Sequence, residues 1–149
     1  MRKERYLKQM ELLHLHFDVS GDDFTTAGEA SSKVKKTLKE LGFNPETVRN
    51  VAIAMYEAEI NLVIHAGGGE IEVAISPEEI TATFTDKGPG IADVSKAMQE
   101  GFSTAPDHVR NLGFGAGMGL PNIKKYSDEM RIDTKLGIGT NLYLTIKVH

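Results

Sequence analysis

A carboxylate, an amide and an imidazole recur at four-residue intervals within one largely apolar segment. They are Glu57, Asn61 and His65, and in an α-helix this spacing places them along one line. A carboxylate and an amide one turn apart could hold a hydrated Mg²⁺, because Mg²⁺ prefers oxygen ligands and keeps several waters. The carboxylate could also act as a general base. The alternatives are an ordinary i,i+4 pair on a solvated face and, for His65, a cap on the helix end.

A second acidic group ends an alternating strand pattern. Ile80, Ala82 and Phe84 share one face of that strand, and Asp86 continues their parity, so its carboxylate is expected to project toward the helix layer. The segment DKGPGI, residues 86–91, then turns the chain. A carboxylate can accept a hydrogen bond from an exocyclic amino group such as that of adenine, and glycines let a flat ring approach the backbone. The same residue types are also common in plain turns.

A third pattern is glycine-rich. The segment GFGAGMG, residues 113–119, precedes a helix predicted to begin near Leu120. Glycines followed by a helix N-terminus can cradle phosphate, because free N–H groups and the helix dipole face the anion. No strand leads directly into this segment, so it is neither a Walker motif nor a dinucleotide fingerprint.

The remaining periodicity predicts the elements that must position these groups. A helix should begin at Asn44-Pro45, with Asn as N-cap and Pro in the first turn. The predicted strands are 12–19, 70–75, 80–85, 131–135 and 141–148, and the predicted helices are 27–41, 45–66, 92–99 and 120–127. Residues 101–119 are predicted to form a mobile lid. We therefore expect one α+β domain over residues 1–149: a two-layer α/β sandwich with helices on one face of a mixed, mainly antiparallel sheet.

Composition narrows the function classes. The chain has 149 residues, a net charge of −4 and no cysteine, which excludes disulfides, thiol catalysis and thiolate metal sites. A mildly acidic protein is a poor candidate for binding nucleic acid through its overall field, although backbone N–H groups can still bind an anionic nucleotide. No apolar run approaches the length of a membrane span. We expect a cytoplasmic protein that binds neither nucleic acid nor membrane.

Two features have no role in this scheme. Glu59 interrupts the apolar stripe of the long helix, about 160° around the helix from Asn61. His14 and His16 share one face of the first predicted strand at a spacing compatible with metal binding, but the sequence offers no evident third ligand.

Taken together, the order and spacing of these motifs resemble the ATPase domain shared by gyrase, Hsp90, histidine kinases and MutL, the Bergerat ATP-binding fold. Within that group the chain is similar to the stand-alone serine kinases of bacterial anti-sigma and partner-switching systems. The matching segments are Glu57-Ala58 with Asn61 and His65, DKGPGI at 86–91, GMGLP at 117–121 and GFST at 101–104. The resemblance extends over most of the chain.

The resemblance implies a role for each motif. Asp86 would bind the adenine amino group with help from Thr140 through water, Asn61 would coordinate Mg²⁺ on the phosphates of ATP, and Glu57 would be the general base. The other nucleotide-binding positions that it implies are Gly88, Gly90 and Ile91 around the base, and Gly115, Gly117, Met118, Gly119 and Leu120 near the phosphates.

The implied activity is that of a serine/threonine protein kinase. Its substrate would be a small anti-anti-sigma-type (STAS) protein, with a sigma factor and a second copy of the chain as further possible partners. The alternative is a regulatory module that binds its partner in an ATP-dependent manner with little catalysis. The presence of both Glu57 and Asn61 favours the kinase. The alternative is favoured by Ala116, which stands where some anti-sigma kinases carry a basic residue; the nearest arginine is Arg110, and Lys87 is another basic candidate.

Overall fold

A computed structural model describes residues 13–21, 25–88, 90–91, 98 and 119–149 of the chain. The predicted helix 92–99, apart from residue 98, and the predicted lid 101–119, apart from Gly119, lie outside the described residues. The same holds for Gly115, Gly117 and Met118, and for the side chain of His65.

The described strands form one five-stranded sheet. Its order is β1-β2-β3-β5-β4, and each neighbouring pair is antiparallel. The strands are β1 Leu13–Ser20, β2 Gly68–Ile75, β3 Glu79–Asp86, β4 Glu129–Lys135 and β5 Gly139–Lys147. The predicted α+β class is confirmed, and the pairings between described strands are antiparallel throughout rather than mixed.

Three described helices accompany the sheet: α1 Glu29–Glu40, α2 Pro45–His65 and α3 Gly119–Lys125. The helix α2 begins where predicted, because the Asn44 side chain accepts a hydrogen bond of 2.8 Å from the Thr47 N–H and Pro45 occupies the first turn. The helix α1 begins two residues later than predicted. Gly28 precedes it with φ of 98°, in the left-handed region that a helix cannot include.

The core lies between the helices and one face of the sheet. Alternate residues of β2, β3 and β5 are buried there, as strand geometry requires. The predicted apolar stripe of α2 is buried at Val48, Val51, Met55 and Leu62, and Ala54 and Ala58 widen it. Helices therefore cover one face of the sheet, as predicted, and fix which strand positions face the candidate site. No helix in the part of the chain that the structure describes is long and apolar enough to cross a membrane.

Candidate functional site

Three polar side chains form a row across the ends of β3, β5 and β4. In the sheet register Asp86 lies opposite Thr140, and Thr140 lies opposite Thr134. Asp86 continues the parity of buried Phe84, and Thr140 that of buried Leu142, so the row faces the helix side of the sheet. We call Asp86, Thr140 and Thr134 the polar row. It replaces the apolar core at this end of the sheet with groups that can bind a polar ligand.

The carboxylate of Asp86 uses one oxygen for the protein. Its Oδ1 accepts hydrogen bonds from the Gly88 N–H at 2.9 Å and from the Thr140 N–H at 3.2 Å. These two bonds fix the orientation of the carboxylate. Among the described residues no donor reaches Oδ2, so this oxygen can accept a hydrogen bond from a ligand.

The hydroxyl of Thr134 connects the polar row to the turn that follows β3. Thr134 Oγ1 accepts a hydrogen bond of 2.8 Å from the Ile91 N–H and shares another of 2.8 Å with Thr140 Oγ1. Ile91 is therefore held at the row through its backbone. Thr134 is a site residue that the sequence motifs did not indicate. The signal for it is that Thr134 lies on the same, less exposed face of β4 as Ile132.

The turn after β3 packs closely against the end of α2. A Cβ on Gly88 would lie 2.9 Å from Ala66 Cα, which is too close for any side chain. Gly90 adopts φ of 79° and lies against the Lys135 carbonyl. Ala66 follows Asn61 by five residues, so Asn61 lies roughly 7 Å along the helix axis from this contact. The polar row and Asn61 are therefore at the same end of α2.

The short helix α3 lies against the predicted polar line of α2. A Cβ on Gly119 would lie 3.1 Å from both Oδ1 and Nδ2 of Asn61, so the first residue of α3 is in contact with that amide. One turn further along α3, Asn122 Nδ2 donates to Glu57 Oε1 at 3.4 Å, a weak bond. Leu120 is partly buried and packs against the hydrophobic core. Asn122 was missed because its proximity to Glu57 depends on helix packing.

Glu57 is a half-buried carboxylate with incomplete hydrogen bonding. Its partial burial raises its pKa, and the hydrogen bond from Asn122 opposes that shift. Burial disfavours the charged form because the carboxylate loses hydration. A carboxylate with a raised pKa that remains ionised at neutral pH is a better proton acceptor than an ordinary glutamate.

Glu59 has a different role from Glu57, although only two residues separate them. It is 2% exposed. Its Oε2 accepts from the Gly28 N–H at 2.9 Å and the Ala30 N–H at 3.3 Å, and its Oε1 accepts from the Ser31 N–H at 2.9 Å. These are the free N–H groups at the start of α1, which need partners. Glu59 therefore caps α1 from α2, and this explains the interrupted apolar stripe.

The sequence of the chain is similar to that of a known family and of several known proteins. The family profile of the histidine kinase-like ATPase domain matches residues 22–146. The serine/threonine-protein kinase RsbT of Bacillus subtilis (strain 168) is 31% identical over 112 residues, covering 72% of this chain and 78% of RsbT. An anti-sigma F factor of Pasteuria penetrans is 28% identical over 137 residues, covering 85% of this chain and 88% of that protein.

A solved structure shows the same fold. A chain from the crystal structure of the SiaB-SiaC complex of Pseudomonas aeruginosa superposes with a TM-score of 0.60 at 15% identity. The match covers 97% of this chain and 95% of that chain. At this level of identity the similarity concerns the fold alone.

Proposed function

This chain belongs to the histidine kinase-like ATPase family, and we propose that it is an ATP-dependent serine/threonine protein kinase that acts in partner switching. The family implies use of ATP. The observation that carries the proposal is that the polar row lies at the end of α2 to which Asn61 is close, with Glu57 one turn before Asn61. The polar row suits a nucleobase, and Glu57 with Asn61 suits phosphoryl transfer.

The polar row fits the base of ATP. Asp86 Oδ2 would accept a hydrogen bond from the adenine amino group, since the protein already uses Oδ1. The hydroxyls of Thr140 and Thr134 would hold a water beside the base. Gly88 and Gly90 would let the flat ring approach the backbone, and Ile91 would line the same side.

Asn61 fits a Mg²⁺ ion bound together with phosphate. Mg²⁺ takes oxygen ligands and in ATP sites is held by few protein groups plus phosphates and waters, so a single amide oxygen is a sufficient protein ligand. Gly119 beside Asn61 adds no side chain to the space around that amide. Backbone groups of Gly119 and Leu120 would lie near the phosphates, and we assign Gly115, Gly117 and Met118 to the same role from the resemblance.

Bound Mg-ATP would supply the phosphoryl group and the cation that neutralises its charge. The chain's own contribution is positioning and proton transfer. Glu57 would accept the proton of the attacking hydroxyl at Oε2, because Asn122 donates to Oε1. Asn122 also orients the carboxylate, and the raised pKa of Glu57 favours its action as a base.

The proposed substrate is a serine or threonine of a small anti-anti-sigma-type protein. The named relatives, a serine/threonine-protein kinase and an anti-sigma F factor, support this choice over an ATP-dependent binding module without catalysis. Glu57 supports it as well, because a module that only binds nucleotide does not need a general base. Binding of a sigma factor and formation of a homodimer stay predictions from the resemblance.

Thermal unfolding with Mg-ATP, Mg-ADP and no nucleotide tests the nucleotide site. A ligand that binds only the folded state at a hundredfold excess over Kd stabilises it by about 2.7 kcal/mol. We expect a Mg-dependent rise in Tm for the wild type and none for Asp86→Asn. If the oxygen of the new amide accepts from the Gly88 and Thr140 N–H groups, its NH₂ faces the adenine amino group, and the charged acceptor for that group is lost. Asp133→Asn is the matched control, since Asp133 is exposed on β4 next to Thr134 and should leave the shift unchanged.

Transfer of labelled phosphate from ATP to a purified anti-anti-sigma-type protein of the same organism tests the kinase activity. Nucleotide binding without transfer to any such protein would favour the binding module. The absence of a Tm shift with every nucleotide would remove ATP from the proposal altogether.

A further inference from the structure

Five ionisable side chains gather on the face of the sheet that the described helices leave open. His14, His16 and Asp18 alternate along β1, and Glu70 and Glu72 alternate along β2. The antiparallel register places His16 opposite Glu72 and Asp18 opposite Glu70. The neighbouring strand therefore places two carboxylates beside the histidines of β1, and the sequence of β1 alone does not show this.

Within this group three ligand atoms converge. One atom each of His16, Asp18 and Glu70 lie within 4.8 Å of one another. His16 Nε2 and Asp18 Oδ1 are 3.3 Å apart. In a tetrahedral Zn²⁺ site, where each ligand atom is about 2.0–2.2 Å from the ion, the ligand atoms are about 3.3–3.6 Å apart. Small side-chain rotations would therefore bring all three atoms to bonding distance of one ion.

The orientation of the His16 ring is set by a fourth residue. Its Nδ1 is hydrogen-bonded to Glu72 Oε1, and the other Glu72 oxygen lies 3.0 Å from His14 Nε2. When Nδ1 of a neutral imidazole donates to a carboxylate, the lone pair is on Nε2. In that tautomer Nε2, which lies 3.3 Å from Asp18 Oδ1, can bind an ion placed between the two atoms. Metal-binding histidines commonly have such a carboxylate on their second nitrogen.

We propose that His16, Asp18 and Glu70 form a binding site for a divalent transition metal of the zinc class, with Glu72 as the residue that orients His16. Three protein ligands on an exposed face leave a coordination position for water or for a ligand from another molecule. The ion would join β1, an edge strand, to β2. The site is separate from the nucleotide, since β1 lies two strands away from β3, which carries Asp86.

The charge around His16 favours a cation at this place. Three carboxylates, those of Asp18, Glu70 and Glu72, lie on the same face of the sheet as the ring and supply negative charge around it. An imidazole with oxygen ligands suits Zn²⁺ better than Mg²⁺, which rarely takes nitrogen. The Mg²⁺ proposed for the ATP site should therefore not compete for this one.

Calorimetric titration of the full chain with Zn²⁺, without nucleotide, tests the proposal. We expect saturable binding of one ion per chain in the wild type and a higher Tm with Zn²⁺, because the ligands are brought together only in the folded state. His16→Ala should abolish both effects, and so should Asp18→Asn combined with Glu70→Gln. Glu72→Gln should weaken affinity by about 10- to 100-fold, as for other residues that orient a metal ligand.

Two controls keep the result specific. His149→Gln changes another exposed histidine beside a carboxylate, with its Nε2 3.9 Å from Asp128 Oδ1, and should bind Zn²⁺ like the wild type. Asp86→Asn should also bind Zn²⁺ normally while losing nucleotide, so the two proposals fail independently. No saturable binding in the wild type, or full binding by a correctly folded His16→Ala variant, would overturn the metal site and leave the group as surface ion pairs.

Discussion

Two of the glutamates of α2, Glu57 and Glu59, lie two residues apart and are in opposite situations. On one side Glu59 is buried, and both of its oxygens accept backbone N–H groups of α1. On the other side Glu57 is half-buried with a single weak bond from Asn122. We refer to these as the Glu59 side and the Glu57 side of α2. The helix is the same, so the difference comes from what packs against each side.

This difference separates a structural carboxylate from a reactive one. A buried carboxylate is stable when its oxygens are fully hydrogen-bonded, and such a group has no acceptor left for a substrate. A partly bonded carboxylate with a raised pKa costs stability but retains an oxygen for proton transfer. Isosteric replacement of each glutamate by glutamine should therefore have opposite effects on activity and stability.

The largest expected effect is the loss of phosphotransfer in Glu57→Gln. General base catalysis contributes typically 10²- to 10⁴-fold, so the rate should fall by at least about 100-fold, while the Mg-ATP-dependent Tm shift remains. The rate is measured with labelled ATP and the protein substrate. Glu46→Gln, an exposed glutamate in the first turn of the same helix, is the control with unchanged activity. If the Glu57→Gln variant phosphorylated the protein substrate at the wild-type rate, Glu57 would not be the general base, and the Glu57 and Glu59 sides of α2 would not differ in reactivity.

The next effect is on the Glu59 side. Glu59→Gln keeps the size of the side chain but turns one acceptor into a donor facing backbone N–H groups. A buried donor left without a partner costs about 1–3 kcal/mol, and the negative charge near the start of α1 is lost as well. We expect the free energy of unfolding to fall by about that amount, measured in urea. The folded fraction should still bind Mg-ATP, and an unchanged urea midpoint would contradict the capping role.

A smaller effect is expected from Gly119→Ala on the Glu57 side. The new methyl group would lie 3.1 Å from the Asn61 amide and displace it by a few tenths of an ångström. Crowding of this kind costs about 1 kcal/mol or more, so Mg-ATP affinity should fall roughly fivefold. Calorimetry measures the affinity, and Lys124→Ala on the exposed side of α3 is the control. Equal affinities would mean that Asn61 does not hold the metal of Mg-ATP.

The smallest effect is a pH-dependent gain of stability in Glu57→Gln. Burial raises the pKa of Glu57 in the folded state above its ordinary value of 4.5. Protonation of Glu57 therefore stabilises the folded protein. This contribution is fully present below pH 4.5 and is lost as the pH rises through the raised pKa. The glutamine variant should therefore be more stable than the wild type at neutral pH. The gain should shrink as pH falls toward 4.5. Urea unfolding at several pH values measures it, and a gain that grows in acid would contradict this account.

Local patterns were sufficient to predict most elements of the fold. Asn44 and Pro45 fixed the start of α2, and the alternating residues of β3 fixed the direction of Asp86, because both signals lie within a few residues of the chain. Gly28 was the local signal that the prediction of α1 neglected. Its left-handed backbone moved the start of α1 from Ala27 to Glu29.

The contacts that complete the site could not be predicted because they are non-local. The role of Glu59 depends on backbone groups of α1, 28 to 31 residues away. The role of Thr134 depends on the register of β4 with β5, and that of Asn122 on the packing of α3 along α2. A helical projection of α2 shows which residues share a side but not which element covers that side.

The position of β5 in the sheet has a consequence during protein synthesis. β5 lies between β3 and β4, and its Thr140 N–H holds the Asp86 carboxylate in place, 54 residues further along the chain. A nascent chain that has emerged only as far as β4 has β1, β2 and β3 but lacks this partner. Because segments closer to the N-terminus fold first on the ribosome, the sheet must leave the free edge of β3 open until β5 arrives. Nucleotide should therefore stabilise only chains that include β5 and have no effect on nascent chains that end before residue 139.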